Sequence, residues 1–248
     1  MKFAQLFTER IEAEPKFIGA ICPICKEEVI AKCGDLNIWH WAHKSKEDCD
    51  KWSEGETEWH LNWKNEFSKE EQEVIVEENK DNWFKDYKIH RADIKTNKGL
   101  VVELQNSSIS NIEIIEREVF YDKMIWLING EKFAQNIFFR KTKGNDYYTF
   151  RWKYPHKSFL SAKKRIYVDM SYRIDYLKTL IEKEKANNKP INNLIQLNNE
   201  LKRYTEKPIF LLSKIYYKRI CGGYGRLISK NDFLNIHIKK DDTTKTSD

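Results

Sequence analysis

The segment HRADIKTNKGLVVELQNSSIS, residues 90–110, decides the fold that we predict for this chain. Two short segments, residues 89–94 and 100–104, flank an Asn-Lys-Gly sequence at positions 97–99, which is a turn signal. We therefore expect two adjacent strands of a hairpin. Pairing of these strands would bring polar side chains of both strands close together.

Acidic and amide side chains occur on both predicted strands. Asp93 lies on the first strand, and Glu103 and Gln105 share one face of the second because side chains alternate across a strand. Two carboxylates on paired strands suit a hard cation such as Mg²⁺, which favours oxygen ligands. Such an ion can polarise a phosphoryl group and supply hydroxide, with a nearby polar side chain orienting the water. The pattern indicates phosphodiester hydrolysis; the alternative is a hairpin with a solvated polar face.

The hairpin also carries a family resemblance. Residues 91–93 read Arg-Ala-Asp, and residues 103–110 contain Glu-Leu-Gln-Asn-Ser followed by Ile-Ser. These motifs resemble the CoiA-like competence nucleases, a branch of the PD-(D/E)xK phosphodiesterase superfamily, which implies that Asp93 and Glu103 bind Mg²⁺ or Mn²⁺. The third motif position is often Lys, and CoiA-like sequences are similar to this chain in having Gln there. Gln105 cannot carry the positive charge of a Lys, but it can hold a water by hydrogen bonds.

Four of the five cysteines lie between positions 22 and 49, a distribution that favours metal binding over disulfides. Cys22 and Cys25 form a Cys-x-x-Cys pair, which commonly presents two thiolates to one tetrahedral zinc. The candidates for the other two ligands are Cys33, His40, His43 and Cys49. Cys33 fits less well, because Gly34 directly after it indicates a turn that closes a hairpin.

The CoiA-like pattern has an aromatic-Ala-His motif before a Cys. This resemblance implies that His43 and Cys49 complete the zinc site, with His40 as the substitute for His43. A zinc with four protein ligands has no position for a reacting water, so we expect it to support folding or to contact DNA. The alternative is a redox-active cysteine pair, but the βαβ pattern of thioredoxin-like proteins is absent around it.

Residues 54–69 have the pattern of an amphipathic helix. Its apolar stripe is Trp59, Trp63 and Phe67, and its polar stripe is Glu56, His60 and Lys64. The CoiA-like resemblance extends over residues 55–60 and implies that a Glu of this helix joins the metal site, either Glu56 or Glu58. We favour Glu56, which lies one turn before His60, and His60 is then placed to shuttle a proton or contact phosphate. The alternative is a solvated polar stripe.

Further strand and helix signals complete an α/β core. A strand pattern at 73–77 precedes the hairpin, a helix begins at Ser110 with capping-box spacing to Glu113, and an apolar run at 125–128 is typical of a buried strand. The resemblance implies the restriction-endonuclease-like αβββαβ core, with Arg117 directed toward the cleft; the alternative is a surface pair with Glu113. The apolar face of this helix is predicted to be Ile112, Ile115, Val119 and Phe120.

Positive charge is concentrated at the end of the chain. The net charge is +6, yet residues 1–150 hold 22 Lys and Arg against 28 Asp and Glu, whereas residues 151–248 hold 22 against 10. Such a surplus favours binding to a phosphate backbone, and the alternative is a solvated lysine-rich surface. The predicted nucleic-acid-binding residues are Lys64, Arg91, Arg117, Lys163, Lys164 and Arg165.

We divide the chain into a zinc-ribbon region (1–52), a nuclease-like core (53–154) and a basic, mostly helical C-terminal extension (155–248). The core should end with a hairpin of strands 137–140 and 147–152. The extension should contain helices at 171–185 and 191–204, followed by a polar, disordered tail after position 239.

These patterns predict an Mg²⁺- or Mn²⁺-dependent deoxyribonuclease with a structural zinc and with DNA as its partner. No N-terminal apolar stretch is long enough for a signal peptide and no run approaches a membrane span, so we expect a cytoplasmic protein without a membrane partner. The alternative function is a zinc-containing, nucleic-acid-binding accessory protein that keeps the nuclease fold without efficient cleavage. Gln105 is the main argument for that alternative.

Overall fold

The structure, a computed structural model, shows a mixed α/β protein whose chain divides into two compact units, Met1–Glu103 and Leu104–Asp248. It describes residues 1–35, 38–44, 49–78, 89–133, 136–142, 147–187, 190–217 and 221–237. The predicted polar tail lies outside the described residues. No helix in the described part of the chain is long and apolar enough to cross a membrane.

The first unit begins with two small antiparallel hairpins. Strand β1 (Phe3–Leu6) pairs with β2 (Glu9–Glu12), and β3 (Val29–Lys32) pairs with β4 (His40–His43). Both hairpins contribute to one core cluster of Met1, Ala4, Ala13, Ala20, Cys22, Val29 and Trp41.

Helix α1 (Glu58–Lys64) is shorter than the predicted segment 54–69. Thr57 is its N-cap, and the Thr57 hydroxyl accepts a hydrogen bond from the backbone N–H of His60 at 3.4 Å. A side-chain oxygen at the N-cap satisfies one of the unpaired N–H groups of the first turn, which fixes where the helix begins. Glu56 therefore precedes the helix instead of lying one helical turn before His60.

Three antiparallel strands follow and confirm the predicted hairpin. They are β5 (Gln72–Glu77), β6 (Ile89–Lys95) and β7 (Val101–Gln105), in the order β5-β6-β7. The connection between β6 and β7 is closed by a hydrogen bond from Gly99 N–H to the Thr96 carbonyl at 2.8 Å. Gly99 has φ of +74°, a left-handed conformation that glycine adopts without a steric cost.

Strand β7 continues through the division, so that Leu104 and Gln105 belong to the second unit. The second unit contains α2 (Asn111–Tyr121), β8 (Met124–Asn129), α3 (Gly130–Phe133), β9 (Ile137–Lys141) and β10 (Tyr147–Trp152). From α1 to β8 the elements follow one another along the chain in the predicted order: helix, three strands, helix, strand. Strands β9 and β10 form the predicted hairpin.

The orientation of α2 differs from the prediction. Ile112 and Val119 of the predicted apolar face are 64% and 73% exposed, whereas Arg117 and Glu118 are 3% and 6% exposed. Glu118 explains the difference, because its carboxylate accepts hydrogen bonds from Trp126 Nε1 at 2.9 Å and from the backbone N–H of Lys163 at 2.8 Å. Satisfied hydrogen bonds of this kind allow a charged side chain to be buried in place of an apolar one.

The end of the chain corrects a further prediction. Residues 155–248 contain α4 (Tyr172–Ala186), α5 (Ile191–Glu206) and α6 (Lys230–His237), but also β11 (Arg165–Asp169), β12 (Ile209–Tyr217) and β13 (Cys221–Ile228). Within the second unit the strand order is β8-β11-β12-β13-β10-β9, with β8 and β11 parallel. Strands β11, β12 and β13 therefore lie between β8 and β10 in one sheet, so residues 155–248 do not form the expected separate extension.

The glycines of β13 reflect this strand packing. A Cβ atom at Gly223 would overlap the carbonyl oxygen of Lys214 on β12, and one at Gly225 would overlap that of Leu211. Only glycine permits such close approach of two backbones.

Candidate metal centres

Cys22, Cys25, His43 and Cys49 converge on one point of the first unit. Their ligand atoms all lie within 4.8 Å of one another, with Cys22 Sγ 3.6 Å from Cys49 Sγ and Cys25 Sγ 3.3 Å from His43 Nε2. Zinc–sulfur bonds of about 2.3 Å and zinc–nitrogen bonds of about 2.0 Å in a tetrahedron require ligand separations of this size. The four residues thus form a cluster compatible with zinc.

Two local structures bring these ligands together. The Cys-x-x-Cys segment forms a tight turn in which Lys26 N–H donates to the Cys22 carbonyl at 2.9 Å and Ile24 N–H points at Cys22 Sγ at 3.4 Å. His43 lies at the end of β4, directly opposite Val29 of β3. Pairing of β3 with β4 therefore carries the imidazole back to the cysteine turn.

The cluster decides between the candidate ligands that the sequence offered. His40 lies at the other end of β4, opposite Lys32, and its Nδ1 is 2.7 Å from the Ile38 carbonyl oxygen. Among the described residues the cluster contains His43 and Cys49 and contains neither His40 nor Cys33.

The chemistry of the donor set also fits a metal. Partial burial, together with the neighbouring Cys22 and Cys25 sulfurs, raises the pKa of the Cys49 thiol above its ordinary value. A zinc ion would reverse this effect by stabilising the thiolates, and four protein ligands would leave it no open position for a reacting water. The arrangement is that of a structural site.

A second group of acidic residues surrounds the β6–β7 hairpin of the first unit. Asp93 on β6 and Glu103 on β7 lie on neighbouring strands, and the Asp93 N–H is 3.4 Å from Glu103 Oε1. The Glu103 residue is 2% exposed, whereas the Asp93 side chain is 25% exposed. The hairpin thus places the Glu103 carboxylate next to the backbone of Asp93 and leaves the Asp93 side chain partly accessible from solvent.

Lys64 lies inside this acidic group rather than at the surface where a nucleic-acid contact was predicted. Its Nζ is 2.9 Å from Glu56 Oε2, 3.0 Å from Glu73 Oε1 and 3.4 Å from Asp93 Oδ1, and its side chain is 3% exposed. We call Glu56, Lys64, Glu73, Asp93 and Glu103 the carboxylate cluster.

Electrostatics favour the charged forms of Lys64 and Glu73 in this cluster. Burial by itself would lower the pKa of Lys64, but Glu73, Asp93 and Glu56 outweigh it and raise that pKa above its ordinary value. Burial would likewise raise the pKa of Glu73, but the charges of Lys64 and Arg91 hold it well below the ordinary range. The Glu73 carboxylate also accepts hydrogen bonds from the backbone N–H groups of Lys2 and Phe3 at 2.8 and 3.1 Å.

Glu73 was not predicted as a site residue, because it reads as one residue of an ordinary strand pattern.

Glu58, the alternative to Glu56, is exposed at the start of α1. His60 is 3% exposed; its Nδ1 lies 2.8 Å from Thr57 Oγ1, and its Nε2 lies 4.0 Å from Glu54 Oε2.

Asp50 is a further buried acid that the sequence did not reveal. It is 2% exposed and accepts hydrogen bonds from the backbone N–H groups of Trp52 and Arg91, at 3.0 and 2.8 Å. Its Oδ1 is also 2.8 Å from His90 Nδ1. Burial would raise the pKa of Asp50, but these hydrogen bonds lower it below the ordinary value.

The Arg91 side chain, predicted to contact nucleic acid, donates from Nη2 to Ser53 Oγ at 2.7 Å.

The remaining predicted site residues lie in the second unit. Gln105 is 1% exposed, and its Nε2 donates to the Ser107 carbonyl at 3.2 Å. Arg117 Nε donates to Glu113 Oε1 at 3.1 Å, and Arg117 is buried rather than part of a surface pair. Lys163 and Arg165 are exposed, and Lys164 Nζ is 3.1 Å from Asp122 Oδ1.

Comparison with known proteins bears on the N-terminal part of the chain. Residues 9–51 match the family model described as the competence protein CoiA, N-terminal domain. This segment contains all four members of the cysteine–histidine cluster. No curated protein and no solved structure gives a significant match to the chain.

Proposed function

We propose that this chain, a member of the CoiA-like competence protein family by its N-terminal domain, is a metal-dependent nuclease that hydrolyses phosphodiester bonds of DNA. Its family suggests a competence-related role, such as DNA uptake or recombination, and defence is a further setting. The observation that supports the nuclease proposal is the placement of Asp93 and Glu103 on the neighbouring strands β6 and β7, with the Glu103 carboxylate 3.4 Å from the Asp93 backbone nitrogen.

The charge balance of the carboxylate cluster supports a divalent cation. Three carboxylates, those of Glu56, Glu73 and Asp93, share the ammonium of Lys64 in a largely buried location, and the buried Glu103 carboxylate lies 3.4 Å from the backbone nitrogen of Asp93. Buried charges are stable when they are paired or when they coordinate a metal. An additional cation of charge +2 would offset the surplus of negative charge, and oxygen ligands are those that Mg²⁺ and Mn²⁺ prefer.

Each residue has a defined task in this proposal. Asp93 and Glu103 would hold the ion, which would supply Lewis-acid activation of the phosphoryl group. Lys64 holds the pKa of Glu73 well below its ordinary value and provides positive charge within the cluster. Gln105 remains the sequence-based candidate for holding a water.

The charge of the second unit supports DNA as the substrate. Residues 151–248 hold 22 Lys and Arg against 10 Asp and Glu, and Lys163 and Arg165 are exposed. Exposed cations attract a phosphate backbone and gain free energy by releasing its counterions. We expect DNA binding to weaken as the salt concentration rises.

A second candidate function is a nucleic-acid-binding accessory protein without efficient cleavage. Gln105 favours it, because an amide lacks the positive charge of a lysine and this one donates to the Ser107 carbonyl. The two functions differ in metal dependence, since an accessory protein would bind DNA equally with and without Mg²⁺.

The test is cleavage of labelled single- and double-stranded DNA in Mg²⁺, Mn²⁺ or EDTA by the wild type, Asp93→Ala and Glu103→Ala. We expect each substitution to lower the cleavage rate by about 1000-fold, which corresponds to about 4 kcal/mol of transition-state stabilisation. Glu9→Ala is the matched control, because Glu9 is an exposed acid of the same unit that lies outside the carboxylate cluster. DNA binding without metal-dependent cleavage by the wild type would support the accessory function instead.

A further inference from the structure

A network of hydrogen bonds joins the segment that follows the cysteine–histidine cluster to the strand that carries Asp93. Cys49 is a member of the cluster, and Asp50 is the next residue. The Asp50 carboxylate accepts from the backbone N–H of Arg91 at 2.8 Å and lies 2.8 Å from His90 Nδ1. Both partners belong to β6 (Ile89–Lys95), which carries Asp93 two residues beyond Arg91.

Two further contacts strengthen this connection. The Trp52 and His90 rings stack at a centroid distance of 3.4 Å with an interplanar angle of 13°. Arg91 Nη2 donates to Ser53 Oγ at 2.7 Å. Residues 50–53 therefore bind the beginning of β6 through a buried carboxylate, a ring stack and a guanidinium, and every contact is within the first unit.

We propose that Asp50 is a positioning residue that couples the zinc cluster to metal binding at Asp93. A bound zinc would hold the Cys49 side chain in place, and Asp50 is the next residue along the chain. The Asp50 carboxylate in turn holds the backbone of β6 by accepting the hydrogen bond from the Arg91 N–H. The inference rests on the proposed nuclease function, because it assigns to Asp93 the role of a metal ligand.

The expected size of the effect follows from the demands of metal ligation. A ligand must be held within about 0.5 Å of its productive position, and loss of a residue that orients a ligand typically weakens metal binding about 10- to 100-fold. Asp50→Asn keeps the size of the side chain but replaces a carboxylate oxygen by an NH₂ group. That NH₂ group meets the N–H donors of Arg91 or Trp52, so at least one hydrogen bond is lost.

The experiment compares the full-length wild type with Asp50→Asn, both loaded with zinc. Three quantities are measured: zinc content, the dissociation constant of Mn²⁺ by electron paramagnetic resonance, and hydrogen exchange of the β6 amides. We expect Asp50→Asn to retain one zinc per chain, to bind Mn²⁺ about 10-fold more weakly, and to exchange its β6 amides faster. Zinc removal from the wild type should have the same effects on Mn²⁺ binding and exchange.

Two variants serve as controls. Asp175→Asn removes an exposed acid that pairs with Lys178, and it should leave both readouts unchanged. Leu177→Ala removes a buried side chain of the second unit and lowers stability without touching residues 50–53 or β6. If Leu177→Ala weakens Mn²⁺ binding as much as Asp50→Asn does, the effect is a general loss of stability and the proposal is overturned.

Other outcomes also overturn the proposal. Asp50→Asn with wild-type Mn²⁺ affinity and wild-type exchange would show that no coupling exists, and simultaneous loss of zinc would make Asp50 a part of the zinc site itself. A wild type that binds no Mn²⁺ would contradict the proposed nuclease function alone. The coupling is then judged by hydrogen exchange of β6 in the wild type, its zinc-depleted form and Asp50→Asn.

Discussion

The first unit contains two clusters of polar residues that differ in how their charges are balanced. In the cysteine–histidine cluster, four soft ligands meet within 4.8 Å of one another. In the carboxylate cluster, Lys64 already lies 2.9 to 3.4 Å from the carboxylates of Glu56, Glu73 and Asp93. The first group contains no cation of its own, so we expect its cohesion to depend on a bound metal. The second group contains the ammonium of Lys64, so we expect it to form without a metal.

The largest expected effect is the loss of a zinc ligand. Cys25→Ser should lower zinc affinity by more than about 100-fold, because it removes a ligand itself, whereas loss of an orienting neighbour alone costs up to about 100-fold. Cys33→Ser is the matched control, since Cys33 lies outside the cluster. Zinc content after dialysis against a weak chelator measures the difference. Equal retention by the two variants would contradict the structural zinc site.

Removal of the cation from the carboxylate cluster should have the next largest effect. Lys64→Met leaves three buried or partly buried carboxylates without their ammonium partner, and breaking a buried ion pair typically costs about 3–5 kcal/mol. Lys69→Met breaks an exposed pair with Glu12 and should cost about 1 kcal/mol or less. Urea unfolding at neutral pH compares the two. A similar small cost for both variants would mean that Lys64 does not balance the cluster.

Acidification tests the same cluster through Glu73. Its pKa in the folded protein is held well below the ordinary value of 4.5, so its stabilising contribution is present above pH 4.5 and is lost as the pH falls toward the folded-state pKa. The free energy of unfolding of the wild type should therefore decrease below pH 4.5. Glu73→Gln should show a shallower decrease, and parallel pH profiles would count against this role of Glu73.

The same linkage applies to Lys64 with the opposite sign. Its pKa in the folded protein is raised above the ordinary value of 10.5, so its contribution is complete below pH 10.5 and is lost only as the pH rises through the folded-state pKa. The cluster should therefore be most stabilising between pH 4.5 and pH 10.5.

The smallest expected effect concerns the histidine outside the zinc cluster. His40→Ala removes one contact, between Nδ1 and the Ile38 carbonyl oxygen, and should cost about 1 kcal/mol while leaving the zinc content at one per chain. His43→Ala should lose zinc. The opposite result, zinc loss in His40→Ala alone, would transfer the ligand role to His40.

Local signals explain which predictions the structure confirms. The Asn-Lys-Gly turn at positions 97–99 lies between two strands, and Gly99 has the positive φ that such a turn favours. The Cys-x-x-Cys pair forms a tight turn, and the aromatic-Ala-His motif places His43 next to it. These features depend on a few neighbouring residues, and for that reason their patterns are visible in the sequence.

Long-range contacts explain what the sequence did not reveal. Glu73 meets Lys64 nine residues away, and Asp50 meets Arg91 across 41 residues, so neither acid has a local signature. The buried face of α2 was wrongly predicted because Glu118 binds the backbone of Lys163, 45 residues away. Strand β11 was not predicted for the same reason. Its parallel partner β8 is separated from it along the chain by a helix, a hairpin and a 3₁₀ turn.

The sequence by itself determined the identity of the zinc-ligand candidates, the β6–β7 hairpin and the two carboxylates on its strands. Only the tertiary structure decided that Lys64 is buried among carboxylates and that Glu73 is one of them. It also decided that Asp50, the residue after Cys49, accepts a hydrogen bond from the backbone of β6. The physical reason is that turns and strand periodicity arise from neighbouring residues. The charge, burial and pKa of a side chain are instead set by whichever distant segments pack around it.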